Sequence, residues 1–168
     1  MKIHFGIGGN KLPGWRNWGK DCDLRKALPY SDNIVTHIFV ENGVEYLTHQ
    51  EAWKFFEECH RILIPNGFIR IAITDISEQW SAMTPKYRKK AKELGIGDGD
   101  AKSTIKAVIF KQGFQGCWNA KLLDTFLIAV GFKTYGSNVS HSRNIIEFNN
   151  LEVISDNFEP SIIEGTKV

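Results

Sequence analysis

Cysteine is sparse and unpaired in this chain. Cys22, Cys59 and Cys117 are odd in number, lie far apart and never form a C-x-x-C spacing. Neither a zinc site nor a disulfide framework is supported, and no metal centre is expected. An excess of one charge is missing too: 21 Lys and Arg stand against 19 Asp and Glu, a formal net of +2. That balance gives no general reason to expect nucleic acid as a partner. Basic residues gather only at Lys86, Arg88, Lys89, Lys90 and Lys92, beside Tyr87 and Glu93. Such a run reads first as a solvated helix face and second as a patch for an anionic ligand. No apolar run is long enough to span a bilayer, since Leu122 to Val130 is short and interrupted. No signal peptide is expected, because a strand starts at Lys2. Repeats and low-complexity segments are absent. These absences lead to the expectation of a cytoplasmic protein in a reducing compartment, without membrane contact.

What the chain does have is material for one core: 168 residues, 42% of them hydrophobic. Lys2 to Gly6 reads as a strand running into Gly6-Ile7-Gly8-Gly9-Asn10. Pro13 and Gly14 interrupt the chain after that turn, and another strand begins near Trp15. Val35 to Glu41 is β-branched and apolar, the pattern of a buried strand. Thr48 and Glu51 make a capping box. Ala52, Phe55, Phe56, Cys59, Ile62 and Leu63 then recur at helical spacing. Pro65-Asn66-Gly67 is expected to stop that helix before a strand from Phe68 to Thr74. Residues 35–74 thus make a right-handed β-α-β unit with parallel strands. Thr84-Pro85 opens an expected basic helix that ends at Gly95, followed by a glycine-rich link at 95–99. Asn119 caps a further helix bearing Leu122, Leu123, Phe126, Leu127 and Val130, ended by Gly131. Phe132 to Tyr135 and Ser161 to Lys167 read as late strands. The expected organisation is one α/β domain over 1–168. Residues 76–116 form an added segment, read as a lid or acceptor-binding region. Trp80 and Trp118 flank it, either lining a pocket or anchoring the segment on the sheet.

The glycine turn carries the first functional signal. Open α/β sheets bind ligands beyond the carboxyl ends of their strands. Glycines there let a ligand lie against the main chain. The turn is not a dinucleotide fingerprint, which needs G-x-G-x-x-G opening a full helix; Pro13 and Gly14 intervene. It is not a P-loop either, because no Gly-Lys-Ser/Thr comes after it. A dehydrogenase is thereby disfavoured, and a nucleoside-like ligand without a pyrophosphate is expected. A tight structural turn is the alternative reading of the glycines alone.

GIGGNKLPGWRN resembles the first motif of class I, Rossmann-like, S-adenosylmethionine-dependent methyltransferases, in particular the small type-11-like ones. DLRKALPYSDNIVTHIF resembles their second motif. VENGVEYLTHQEAWKFFEECHRILIPNGFIRIAITD resembles the block after it, and LLDTFLIAVGF the late helix. The resemblance implies a mostly parallel central sheet with helices on both faces and an antiparallel late strand. It implies S-adenosylmethionine as cofactor and S-adenosylhomocysteine as product. Gly6, Ile7, Gly8, Gly9 and Asn10 would then line the methionine part. Asp23 and Leu24 would sit at the adenine, and Glu41, Asn42 and Val44 would close over the centre. Two positions depart from the pattern. Gly19 stands where an acid usually bridges the ribose hydroxyls, and Asp21 could replace it if the loop bends back. Asn42 and Glu45-Tyr46 stand in place of the usual His and Glu-His.

Methyl transfer needs chiefly alignment, worth about 7–11 kcal/mol. A base is required only where the acceptor must lose a proton. Asp75, at the end of the Phe68–Thr74 strand, and His141, in a polar loop, are the catalytic candidates, with Glu78 and Tyr87 also near. His4 and His37 alternate with apolar neighbours and read as structural. The expected function is methyl transfer to a small-molecule acceptor. The competing class is a methyltransferase-like binding or interaction protein that has lost efficient cofactor binding. A polymer-directed enzyme has only the basic stretch in its favour, and steep salt dependence would mark it. Sequence alone leaves the oligomeric state open.

Overall fold

The computed structural model describes residues 1–6, 11–19, 21–75, 89, 92–93, 113–137, 142, 145–151 and 160–168. Six strands form one mixed sheet. β1 (Lys2–Gly6), β2 (Arg16–Trp18), β3 (Val35–Glu41) and β4 (Leu63–Ile73) come first, then β5 (Phe132–Ser137) and β6 (Ser161–Lys167). The spatial order is β2-β1-β3-β4-β6-β5. β2, β1, β3 and β4 pair in parallel, and β6 is antiparallel to both its neighbours. The expected α/β fold, mostly parallel with an antiparallel late strand, is present.

Helix α1 (His49–Ile62) starts where the sequence places it. Thr48 Oγ1 accepts from the Glu51 amide, and the Glu51 carboxylate accepts from the Thr48 amide at 2.8 Å. Helix α2 (Ala120–Val130) is capped by Asn119, whose Oδ1 accepts from the Leu122 amide at 2.8 Å. Gly131 ends it at φ +114°, a backbone angle that favours glycine. Ala52, Phe55, Phe56, Cys59 and Ile62 of α1 and Leu123 and Leu127 of α2 bury into one core. Ile3, Phe5, Ile38, Val40, Ile69 and Ile71 supply the sheet side of it. Each large side chain so buried stabilises by roughly 1.5–3 kcal/mol. Among the described residues, α1 and α2 therefore cover the same face of the sheet. Among the described residues the opposite face is covered by Leu12, Ile145 and Phe148, with Trp15 and Leu151 packed beside them. Phe148 belongs to a short 3-10 turn, Ile146–Phe148. Under this second layer the Arg70 guanidinium donates to Glu164, a fully buried pair that ties β4 to β6, and Ser142 Oγ donates to Glu164 Oε2 at 2.9 Å.

The sequence places a break at Pro65-Asn66-Gly67 and starts the strand at Phe68. The chain instead enters β4 directly from α1, at Leu63, which pairs with Val35. The triplet lies inside a register shift, after which His37 pairs with Phe68. Asn66 takes φ +60°, and a Cβ on Gly67 would come within 2.8 Å of the Ile64 carbonyl oxygen. The proline-glycine signal thus marks an irregular strand. The expected added segment, 76–116, lies outside the described residues except for Lys89, Lys92, Glu93 and 113–116, and so do Trp80 and Gly95 to Gly99. Trp118 is buried between the helices, edge-on to Phe56 and Phe126. Among the described residues no helix is long and apolar enough to cross a membrane.

Candidate functional site

β1, β2 and β3 run parallel, so their carboxyl ends share one edge of the sheet. A cavity of about 440 Å³ opens there. Phe5 and Gly6 come from the end of β1, and Trp18 and Gly19 from the end of β2. Cys22, Asp23, Leu24 and Arg25 form a second wall. Gly43, Tyr46 and Leu47, from the 3-10 turn Val44–Tyr46 after β3 and the residues on either side of it, form the third. The volume and the mainly apolar walls suit a small organic ligand, with few polar groups to orient it.

Local chemistry fixes each wall. Trp18 Nε1 donates to the Tyr30 hydroxyl at 2.6 Å, and the Arg16 guanidinium lies 5.1 Å over the indole. Asp23 is clamped by Arg25, whose Nε and Nη2 donate at 2.7 and 3.1 Å. The arginine holds the Asp23 carboxyl below its ordinary range. The Cys22 thiol is pushed up, by burial first and by Asp23 second, so it is a poor nucleophile. Asn42 leaves β3 at φ +49°, a left-handed angle that asparagine tolerates better than most residues. Glu45 is 1% exposed. Its Oε1 accepts from the Thr74 amide at 2.7 Å, and among the described residues its Oε2 has no hydrogen-bond partner. Burial pushes its carboxyl up to about 7. Its carbonyl oxygen accepts from the amides of Gln115 and Gly116 at 2.8 and 3.1 Å.

The structure brings some of the expected site residues together and separates others. Gly6, Asp23 and Leu24 line the cavity. Glu41 is buried at the end of β3, opposite Gly6 in the strand register. Asn42 comes directly after it, while Val44 is a core residue. Asp21 is exposed on the turn and is not among the lining residues. At Gly19, among the described residues, a Cβ would meet nothing closer than the Gly6 carbonyl oxygen at 4.0 Å. Asp75 is buried, with Oδ2 accepting from the Ala120 amide at 2.8 Å, which seats the start of α2. Ile7, Gly8, Gly9, Asn10, Glu78, Tyr87 and His141 lie outside the described residues. Among the described residues no cluster of His, Cys, Asp and Glu could hold a metal ion. Sequence reasoning missed the burial of Glu45, for which the apolar residues around it, Val44 and Leu47, were the available signal.

Residues 17–71, from β2 into β4, match a family model described as a methyltransferase domain. No curated protein matches the chain. Solved structures do. A S-adenosylmethionine-dependent methyltransferase from Archaeoglobus fulgidus shares 12% identity at a TM-score of 0.58, covering 99% of this chain and 86% of that one. A S-adenosylmethionine-dependent methyltransferase from Thermotoga maritima shares 15% at 0.51, over 92% of this chain and 65% of that one. A phosphoethanolamine N-methyltransferase from Haemonchus contortus, solved with S-adenosylhomocysteine, shares 14% at 0.59, over 99% and 49%. The chain thus spans less than two-thirds of the length of the second and third. Its fold is that of the class I, Rossmann-like methyltransferases. The resemblance seen in the sequence motifs holds at the level of that fold and of the matched domain.

Proposed function

We propose that the chain binds S-adenosylmethionine in the cavity beside Gly6 and directs methyl transfer to a small-molecule acceptor. The observation that supports this most is the position of the cavity. It lies at the carboxyl ends of β1, β2 and β3, within a region that includes the methyltransferase domain match. When bound, the cofactor supplies an electrophilic methyl group on a sulfonium. The chain's own groups bind and orient. Gly6, Ile7, Gly8, Gly9 and Asn10 take the amino-acid part, Leu24 and Leu47 sandwich the base, and Asp23 accepts from its exocyclic amine. Glu41, Asn42 and Val44 close the centre. Tyr46 and Trp18 offer aromatic surface, which suits a nearby cation. Asp75 holds α2 in place through Ala120, and His141 is kept as the base for an acceptor that must lose a proton.

The domain reading stays as proposed from sequence: one unit with 76–116 as the acceptor region, in a cytoplasmic protein. The second reading, a binding protein that does no chemistry, is favoured by one observation, Gly19 in place of an acid. Calorimetric titration of protein freed of carried-over ligand decides between them. Micromolar binding of S-adenosylmethionine or S-adenosylhomocysteine is expected. No binding at millimolar ligand, with the protein folded, would refute the enzyme reading.

A further inference from the structure

Trp18 ends β2 as one wall of the cavity, and its one polar atom is taken by a neighbour that does not line it. The indole N–H, the side chain's single donor, goes to the Tyr30 hydroxyl at 2.6 Å. The Tyr30 ring stands at 81° to the indole, with centroids 6.5 Å apart. Trp18 and Tyr30 both pack, partly exposed, against the main core. Tyr30 is not among the lining residues, so it fixes where the indole sits without itself facing the ligand space.

Tyr30 is fixed in turn by an ion pair on α1. The stretch from Leu28 to Ile34 belongs to no strand or helix, so its backbone groups need partners from elsewhere. The end of α1 supplies them. Glu58 Oε2 accepts from the Leu28 amide at 2.8 Å. Arg61 Nη2 donates to the Leu28 carbonyl at 3.2 Å, and Nη1 donates to the Tyr30 carbonyl at 2.8 Å. Nη1 also donates to Asp32 Oδ1 at 2.7 Å. Arg61 Nε and Nη2 hold the two Glu58 oxygens, each at 2.8 Å. The carbonyls of Arg61 and Ile62 accept from the Asn33 and Ile34 amides at 3.1 and 2.9 Å. One guanidinium thus reaches two carbonyls and two carboxylates at once, which a planar fork of five donors allows and a lysine ammonium does not.

We propose that Tyr30, Glu58 and Arg61 are positioning residues of the ligand cavity: the ion pair sets Tyr30, and the Tyr30 hydroxyl sets the Trp18 wall against which the ligand packs. The proposal rests on the nucleoside reading of the cavity given above. With its N–H spent on Tyr30, Trp18 offers the ligand ring surface and no hydrogen bond. It contributes through contact, and a small displacement of the indole is felt as lost contact.

Calorimetric titration of the whole chain with S-adenosylhomocysteine, together with proton spectra of the indole N–H groups, tests this. Tyr30→Phe removes only the hydroxyl and should weaken binding roughly 3- to 10-fold, the range of one neutral hydrogen bond. Arg61→Gln should weaken it by a similar factor. Arg61→Lys keeps the charge but not the fork, should behave alike, and serves if the glutamine variant does not fold. In the Tyr30→Phe background the Arg61 change should add less than about twofold, because its effect passes through the hydroxyl already removed. The Trp18 indole proton, assigned by its loss in Trp18→Phe, should move upfield in both the Tyr30 and the Arg61 variants, while that of Trp118 stays. Asn119→Ala, which weakens the fold at a helix cap, should leave the affinity and the Trp18 resonance as in the wild type. Binding within about twofold of the wild type in either variant, or losses that simply add in the double variant, would overturn the proposal and leave the nucleoside reading standing. An unmoved Trp18 proton in the Arg61 variant would do the same. Failure of the folded wild type to bind S-adenosylhomocysteine at all would overturn that reading and this proposal with it.

Discussion

Replacing Glu45 with glutamine should remove a large part of the protein's pH-dependent stability. The carboxyl is buried against Thr74, and burial raises it from an ordinary 4.5 to about 7, outweighing the hydrogen bonds that act the other way. Proton counting gives the sign. Below about pH 4.5 both folded and unfolded chains hold the proton, and the group costs nothing. Between 4.5 and 7 the unfolded chain releases it while the folded chain keeps it, so stability falls as pH rises. Above 7 the loss is complete. A separation of that size corresponds to about 3 kcal/mol. Glutamine keeps a carbonyl for the Thr74 amide, places an amide where the protonated acid has its O–H, and cannot ionise. Urea unfolding of wild type and Glu45→Gln from pH 4.5 to 8 isolates the effect, because every other titrating group is common to both. The variant should match the wild type near pH 4.5 and exceed it by up to about 3 kcal/mol at pH 8. A difference that stays constant over the whole range would refute the reasoning.

Gly19→Asp should tighten S-adenosylhomocysteine binding roughly tenfold by calorimetry, since a Cβ there meets no close neighbour among the described residues and a carboxylate gains the ribose hydroxyls. Unchanged binding would mean that the ribose lies elsewhere. Asn119→Ala removes the acceptor for the Leu122 amide and should cost about 1 kcal/mol. In thermal denaturation that appears as a fall of roughly 2–4 °C.

Local signals in the chain proved reliable where the physics is local. The Thr48–Glu51 box, the Asn119 cap and the Gly131 stop depend on groups within a few residues of one another, and each stands where the pattern placed it. The strand Val35–Glu41 has the apolar run that a buried strand requires, and Ser161–Lys167 stands where the sequence placed a late strand. Leu63 was less legible, because the pairing with Val35 that makes it a strand residue lies 28 positions away in sequence and overrides the Pro-Asn-Gly signal. The candidate site divides similarly. Gly6, Asp23 and Leu24 were readable as cavity residues from the motif order. Asp75 meeting Ala120, Glu45 meeting Thr74 and His4 facing Glu41 are each made by tertiary packing, and no spacing announces them.

The place of β6 in the sheet sets a timetable for folding. This strand, later in sequence than β5, is inserted between β4 and β5. Until Ser161–Lys167 is available, β4 and β5 each present an unpaired edge, and Arg70 waits in an apolar layer for Glu164, 94 positions later. A chain emerging from the ribosome therefore cannot close its sheet as it grows. The parallel half can assemble early around β1, β3 and α1, while closure depends on contacts of long sequence separation, which form slowly and leave strand edges open to other chains meanwhile. Yield during synthesis should accordingly be governed less by the strength of the finished core than by how well that half-made sheet is kept from its neighbours.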